Sequence, residues 1–438
     1  MASLADNEAK RGPVAPDALA ARELVRTATA SREELVEISL DAIDHRDADL
    51  HAWAHIDPSH ARRQARSCGS AGILDGVCIG VKDIIDTVDL PTEYGSPIYR
   101  GHRPTVDASC VSALSRAGAI IVGKTVTTEL AFTEPAITRN PIAPHLTPGA
   151  SSCGSAAAVA DGMVAIAIGT QLSASIVRPA SYCGVLGFKP TLGTISTAGI
   201  KPASATLDTV GVFARTVDDL ALAYCALAPP EELQLAELAR PPRLGLVRTA
   251  QSDQADTSAH DVFDLVARTV EQAGGTIEDR VTSPPLDALP HAQECVGTYD
   301  MARALSHEQL HAPQLLSATV KAMIQQGLEI GPGERAAAIT LRDQAAYALP
   351  ELFGRCDALL TFAVTGEPPS RSSTGDPVFG RAWTFLGLPC VCLPGGLGPN
   401  GLPIGVQLVG RHGTDQKLLE IAKWVIQRLP IHNTGKSI

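Results

Sequence analysis

The sequence predicts an α/β protein, and three observations carry that prediction. Short apolar runs of strand length recur along the chain. Helical stretches with one apolar or small-residue face fall between them. The 438 residues, 45% of them apolar, are enough to bury a large core. Length alone suggests two or three domains, although large α/β folds exceed that prior.

Residues 15–47 read as two amphipathic helices. Leu19, Leu24 and Val25 space one face, Leu35, Val36, Ile38 and Ile43 the next, and Ser31 with Glu34 forms a capping box for the second. Residues 73–86 read as a strand in which Val77, Ile79 and Val81 alternate, leaving Lys82 near its end. Residues 108–117 are helical, 119–122 form a short buried strand, and 156–167 read as one tightly packed small-residue helix. Residues 184–189 lead through Pro190 into a loop-rich segment that reaches Pro202. A helix over 217–227 holds Asp218 and Asp219 in its first turn, where the dipole favours them.

Residues 229–242 are rich in Pro and Glu and read as a surface connection. A strand at 244–247, a helix at 259–274 and another strand at Thr276 make an α/β unit. Residues 288–352 are mostly helical, and 358–362 form a strand. Residues 366–375 read as a mobile loop. Strands at 389–394 and 404–409 are joined by a Gly-rich turn, and a helix over 415–428 closes the chain.

Charge and residue usage exclude several classes. A formal charge of −11 with no basic run does not suit a nucleic-acid backbone. No segment reaches the ~18 uncharged apolar residues of a membrane helix. Residues 1–11 have no apolar signal region, so a cytoplasmic location is expected. Ten cysteines are too sparse for a disulfide scaffold and none form C-x-x-C, so free thiols in a reducing compartment are expected. Cys390 and Cys392, two apart on a strand, share a face. The histidines are scattered, with no H-E-x-x-H, and no metal or other cofactor is expected.

Two motifs match by pattern and fail by mechanism. Residues 118–125 fit G-x-x-x-x-G-K-[ST], but the intervening residues are themselves a β-branched strand preceded by a helix, not a Gly loop that cradles phosphate. Residues 396–401 fit G-x-G-x-x-G, yet a strand rather than a helix follows, as in a hairpin turn. No G-x-S-x-G is present, which argues against a hydrolase with a histidine base.

The remaining chemistry is concentrated in two serine-rich stretches, Thr147-Pro-Gly-Ala-Ser-Ser-Cys-Gly-Ser155 and Gly169-Thr-Gln-Leu-Ser-Ala-Ser-Ile-Val-Arg178, and in Gly80-Val-Lys-Asp83 upstream. Gly and Ser in series let backbone amides and hydroxyls converge on one spot. A lysine between apolar residues, with two serine loops, suggests a nucleophile activated without histidine. Taken with Tyr182-Cys-Gly-Val-Leu-Gly-Phe-Lys-Pro190, Leu207-Asp208, Ala214-Arg-Thr-Val-Asp-Asp219, Gly123-Lys-Thr125, Gly387-Leu-Pro389 and Gly401-Leu-Pro-Ile-Gly405, these stretches resemble the amidase signature family of serine amidohydrolases. The resemblance covers most of residues 15–228 and 355–428; residues 229–354 resemble nothing specific.

The resemblance implies one large α/β domain spanning 1–438: a mixed, twisted sheet covered by helices on both faces, with 229–354 as a mostly helical elaboration that caps the entrance. It implies Ser175 as nucleophile, Ser151 as a bridging serine associated with a cis peptide, and Lys82 as base. The amides of Leu172, Ser173, Ala174 and Ser175 would form the oxyanion hole. Ser152, Thr170 and Arg178 would support the site, and Phe132, Thr133, Gln171 and Trp383 would meet substrate. A lysine can act as base only when neutral, so its pKa must fall from about 10.4 to near 7. That is about 4 kcal/mol of disfavoured charge, within reach of desolvation. Asp83 would oppose the shift if its carboxylate were near.

The chain departs from the family where a Gly-Gly pair usually precedes the nucleophile, which here is Ser173-Ala174, and where Asp-Thr is usual, here Gln171-Leu172. Ala150 replaces a glycine of the earlier loop, and Cys153 stands where Ser or Gly is common. The expected activity is hydrolysis of a non-peptide C–N bond in a small amide, anilide or carbamate by a monomer or homodimer, with no nucleic-acid or membrane partner. The rival readings are a glutamine-hydrolysing component of a tRNA-dependent amidotransferase and a catalytically silent scaffold.

Overall fold

A computed structural model describes residues 12–67, 72–228 and 235–430. Eleven strands form one sheet: β1 (Trp53–Ile56), β2 (Cys78–Lys82), β3 (Ile120–Thr125), β4 (Ile166–Gln171), β5 (Leu186–Lys189), β6 (Thr209–Ala214), β7 (Arg243–Val247), β8 (Thr276–Arg280), β9 (Ala358–Phe362), β10 (Cys390–Leu397) and β11 (Pro403–Val409). Their order is β1-β3-β2-β4-β6-β5-β10-β11-β9-β7-β8. The sheet is mixed. β2 runs parallel to β3 and β4, and β7 parallel to β8 and β9, while β4, β6, β5, β10 and β11 pair antiparallel in turn.

The helices are α1 (Ala18–Arg26), α2 (Arg32–Leu50), α3 (Pro58–Ser67), α4 (Ser109–Arg116), α5 (Cys153–Ala160), α6 (Val177–Cys183), α7 (Val217–Leu227) and α8 (Thr257–Gln272). They continue with α9 (Pro284–Asp287), α10 (Leu289–Ala304), α11 (Ser306–His311), α12 (Ala318–Glu329), α13 (Pro332–Phe353), α14 (Val378–Phe385) and α15 (Asp415–Ile426). None of the described helices is long and apolar enough to cross a membrane.

Strand alternation splits the interior into two cores, one on each face. Ile166 and Ile168 of β4 join the core under α1, α7, α8 and α15, while Ala167 between them joins the core under α2, α5, α6 and α14. β10 does the same: Val391 and Leu393 face one core, and Cys390 and Cys392 the other. None of the nine described cysteines forms a disulfide.

Local signals explain most boundaries. Ser31 caps α2 through the expected box, accepting from Glu34 N at 3.2 Å while its own amide donates to Glu34 Oε2 at 2.7 Å. Lys124 and Thr125 lie inside β3 behind α4, so no phosphate loop forms there. Residues 396–401 belong to the β10–β11 hairpin.

Two expectations need correction. Residues 156–167 are not one helix. Gly162 takes a φ of +76°, where α5 has already ended, and the chain re-enters the sheet as β4. Leu19 is 43% exposed, because α1 turns Ala18 and Ala21 inward instead. The segment 229–354 carries helices α8 to α13, and its strands β7 and β8 extend the same sheet. Residues 229–234 of the expected surface connection lie outside the described residues. Strand β6 and helix α6 were not legible from periodicity, being short and buried throughout.

Asp219 does more than sit in the first turn of α7. Its buried carboxylate accepts from Ala18 N and Leu19 N, both at 3.1 Å, and so caps α1 from 200 residues away. Replacing Asp219 with Ala leaves two amides at the start of α1 without an acceptor. The expected loss is about 1–3 kcal/mol, read as a lower urea midpoint with unchanged slope.

Candidate active site

β2 delivers Lys82 at its C-terminal end, fully buried. Its Nζ lies 2.7 Å from Ser151 Oγ and 2.8 Å from Thr170 Oγ1. Both partners are hydroxyls, so nothing there neutralises a charge. Burial lowers the Lys82 pKa to about 7, against smaller opposing pulls from Cys153 and Asp208. Asp83, next in sequence, points away: its Oδ1 meets Lys124 Nζ at 3.1 Å and its Oδ2 accepts from Glu93 N at 3.1 Å. The neighbouring carboxylate therefore does not hold Lys82 charged.

The serine loop turns at Gly149, whose φ is +92° and whose missing Cβ would come within 2.9 Å of Pro179 Cα. The Ala150–Ser151 peptide is cis. Ser152 makes no hydrogen bond to Lys82. Its hydroxyl brackets Thr170, donating to Thr170 O at 3.1 Å and accepting from Thr170 N at 3.3 Å, and so holds the residue that holds the lysine. Arg178, 2% exposed, donates to Ala150 O at 3.1 Å and to Gly375 O.

Residues 172–176 connect β4 to α6. Three of their carbonyls are held from three directions. Leu172 O accepts from Gln293 Nε2 at 2.9 Å, Ser173 O from Thr384 Oγ1 at 2.8 Å, and Ala174 O from Arg178 N at 2.9 Å. None of the described residues accepts from the amides of Leu172, Ser173, Ala174 or Ser175. A row of amides without protein acceptors is what an oxyanion requires. Ser175, 9% exposed, lines a cavity of about 70 Å³. Lys82 and Ser151 are thus in direct contact, while Ser175 faces the cavity without a hydrogen bond to Ser151.

Phe132, Thr133, Leu172 and Ser173 also line this cavity. Gln171 and Trp383 do not, and their expected contact with substrate is corrected. Gln171 folds under the loop, its Oε1 accepting from Ile176 N at 2.7 Å and Val177 N at 3.1 Å while its Nε2 donates to Thr384 Oγ1 at 2.9 Å. Trp383 is 1% exposed in the core. Two residues along α14 is about 200° of helix rotation, so turning Arg381 to the cavity turns Trp383 inward.

The opposite wall comes from residues that sequence reasoning missed: Gln293, Glu294 and Met301 of α10, Met323 of α12, and Arg381. They lie in or against the segment that resembles nothing specific, and no local signal marks them. The Ser173-Ala174 pair fits because α14 is bare at Gly380, where a Cβ would come within 2.7 Å of both Ala174 Cβ and Ser173 O.

A family profile described as Amidase matches residues 34–419. The chain is 32% identical to a glutamyl-tRNA(Gln) amidotransferase chain from Anaeromyxobacter sp. (strain K), over 90% of this chain and 92% of that one. It is 30% identical to a putative amidase, AmiD, of Mycobacterium tuberculosis (strain H37Rv), over 93% and 92%. A crystal structure of an amidase superposes with a TM-score of 0.87 at 26% identity, covering 94% of this chain and 100% of that one.

The fit at Gly380 is directly testable. Gly380→Ala should overpack the loop and cost about 1–3 kcal/mol, measured as a lower thermal midpoint. Adding Ala174→Gly should recover part of the loss, because it removes one of the two clashes.

Proposed function

The chain belongs to the amidase signature family and is an enzyme of C–N bond hydrolysis; on that premise we propose that it cleaves small amides through an acyl-enzyme on Ser175. Neutral Lys82 takes a proton from Ser151, which takes one from Ser175 as its Oγ attacks the substrate carbonyl. The amides of Leu172, Ser173, Ala174 and Ser175 receive the developing oxyanion. The tetrahedral adduct collapses, the C–N bond breaks, and the amine leaves with the proton returned through Ser151. Water, activated by the same relay, then attacks the ester carbon and releases the acid and Ser175. The observation that carries this reading is the buried Lys82 amine, bonded to two hydroxyls and to no carboxylate, with its pKa near 7.

The walls support a small, partly apolar acyl or aryl group: Phe132, Leu172, Met301 and Met323 surround a cavity of about 70 Å³. An acyl anilide, an aryl carbamate or a simple primary amide fits this chemistry. Glutamine hydrolysis is the second reading. It is favoured by the likeness to the amidotransferase chain and by the Glu294–Arg381 ion pair at 2.7 Å on the cavity wall, which offers both charges to an amino acid's ammonium and carboxylate. The two readings part at Arg381→Met, which raises KM for glutamine at least tenfold in the second and leaves anilide turnover near wild type in the first.

The first test is hydrolysis of an acyl anilide, an aryl carbamate, a primary amide and glutamine by wild type and Ser175→Ala. Wild type should release amine from at least one, and the variant should lose at least about 10³-fold in kcat. No difference between the two proteins would exclude Ser175 as nucleophile. A silent scaffold would also leave Ser175 unlabelled by serine-directed reagents. Because Lys82 must be neutral to accept a proton, kcat/KM should fall as pH drops below about 7 and level off above it. A profile flat from pH 6 to 9 would remove Lys82 from the role of base.

A further inference from the structure

We propose that Gln293, carried by α10 in the segment without family resemblance, is a positioning residue that aims the oxyanion-binding amides. This rests on the reading of residues 172–175 given above. A peptide unit is planar and trans, so fixing its carbonyl also fixes the direction of the N–H on its other side. Holding Leu172 O therefore aims the amide of Ser173, holding Ser173 O aims that of Ala174, and holding Ala174 O aims that of Ser175. Thr384 and the start of α6 hold the second and third planes. Gln293 holds the first.

The contact is a clamp, not a passing touch. Gln293 is 1% exposed, and its Nε2 donates to Leu172 O at 2.9 Å and to Ser173 Oγ at 3.1 Å. A glycine in place of Ser173 would offer only the first of these contacts, so the departure from the usual Gly-Gly pair supplies the second handle. One turn further along α10, Gly297 keeps the space clear. A Cβ there would come within 3.2 Å of Leu172 Cδ2 and 3.5 Å of Gln293 Nε2. Gln293 and Gly297 thus form one seat for the Leu172-Ser173 peptide.

The test reads Ser175 phosphonylation by an alkyl fluorophosphonate, which does not require the natural substrate. Ser175 Oγ forms a bond to phosphorus, the P–F bond breaks, fluoride leaves, and the serine proton passes towards Lys82. The anionic phosphoryl oxygen in the transition state draws on the same amides as an amide substrate would. Gln293→Met keeps length and loses both donors; it should cut the maximal labelling rate about tenfold while the half-saturating reagent concentration stays within about twofold. The acid limb near pH 7 should stay in place, because Lys82 is untouched. Gln293→Glu, which cannot donate to Leu172 O and sets a carboxylate by the loop, should lose more. Should Gln293→Met fail to fold, Ser173→Gly removes one handle only and should slow labelling about two- to fivefold.

Labelling of Gln293→Met or Ser173→Gly at the wild-type rate, with Ser175→Ala unlabelled, overturns the role of Gln293 and leaves the nucleophile reading intact. Loss of rate matched by an equal rise in half-saturating concentration also overturns it, because that pattern marks a deformed cavity. Equal labelling of wild type and Ser175→Ala overturns the reading of the site on which the proposal rests.

Discussion

Everything at this site depends on keeping one amine out of water without giving it a counter-ion. The sheet places two buried lysines on adjacent parallel strands, and the contrast between them is instructive. Lys124 on β3 meets Asp83 at 3.1 Å and Thr92 Oγ1 at 2.5 Å, so a carboxylate shares its burial. Lys82 on β2 hydrogen-bonds only to hydroxyls, and burial outweighs the weaker pulls of Cys153 and Asp208 on its proton. Side-chain alternation makes this separation possible: Lys82 and Asp83 are neighbours in sequence yet belong to different polar clusters. An amine desolvated to a pKa near 7 is a usable base at neutral pH, whereas the same amine beside a carboxylate would stay charged.

The loop that follows β4 turns the same economy of contacts to a different end. The carbonyls of Leu172, Ser173 and Ala174 are held by protein donors, while the amides of residues 172–175 have no acceptor among the described residues. The holders come from separate parts of the chain: Gln293 from α10, Thr384 from α14 and Arg178 from α6 itself. Small residues alone would leave such a loop mobile. Here Ser173 and Ala174 bring side chains that restrict it, and the surroundings are cut to match, with Gly380 opposite Ala174 and Gly297 beneath Leu172.

How much of this was legible in the sequence follows from what each feature rests on. Strands with strict alternation, such as the one ending at Lys82, could be read directly, and so could the box at Ser31 and Glu34. The run 156–167 could not, because Ala, Val and Ile serve a buried helix and a buried strand alike until Gly162 is seen to break it. The lysine and the serines stood in ordered short motifs, so their positions were legible; the contact between Lys82 and Ser151 needed the sheet. Gln171 was placed by its position before the serine loop and Trp383 by the family resemblance of its segment, yet both turn into the core. Gln293 gave no signal, since a single polar residue on a helix reads the same whether it faces water or holds a loop 121 residues away.

That wide spacing also orders events during synthesis. A chain emerging from the ribosome folds from its N-terminal side, and Lys82, Ser151 and Ser175 are all made before residue 180. The donors that hold the loop arrive only with residues 293 and 384, well after Ser175 has been made. Until α14 has docked, a nascent chain would carry the proposed nucleophile and base without the hydrogen bond that fixes Ser173 O. On the proposed mechanism, reactivity would wait for these later segments to fold.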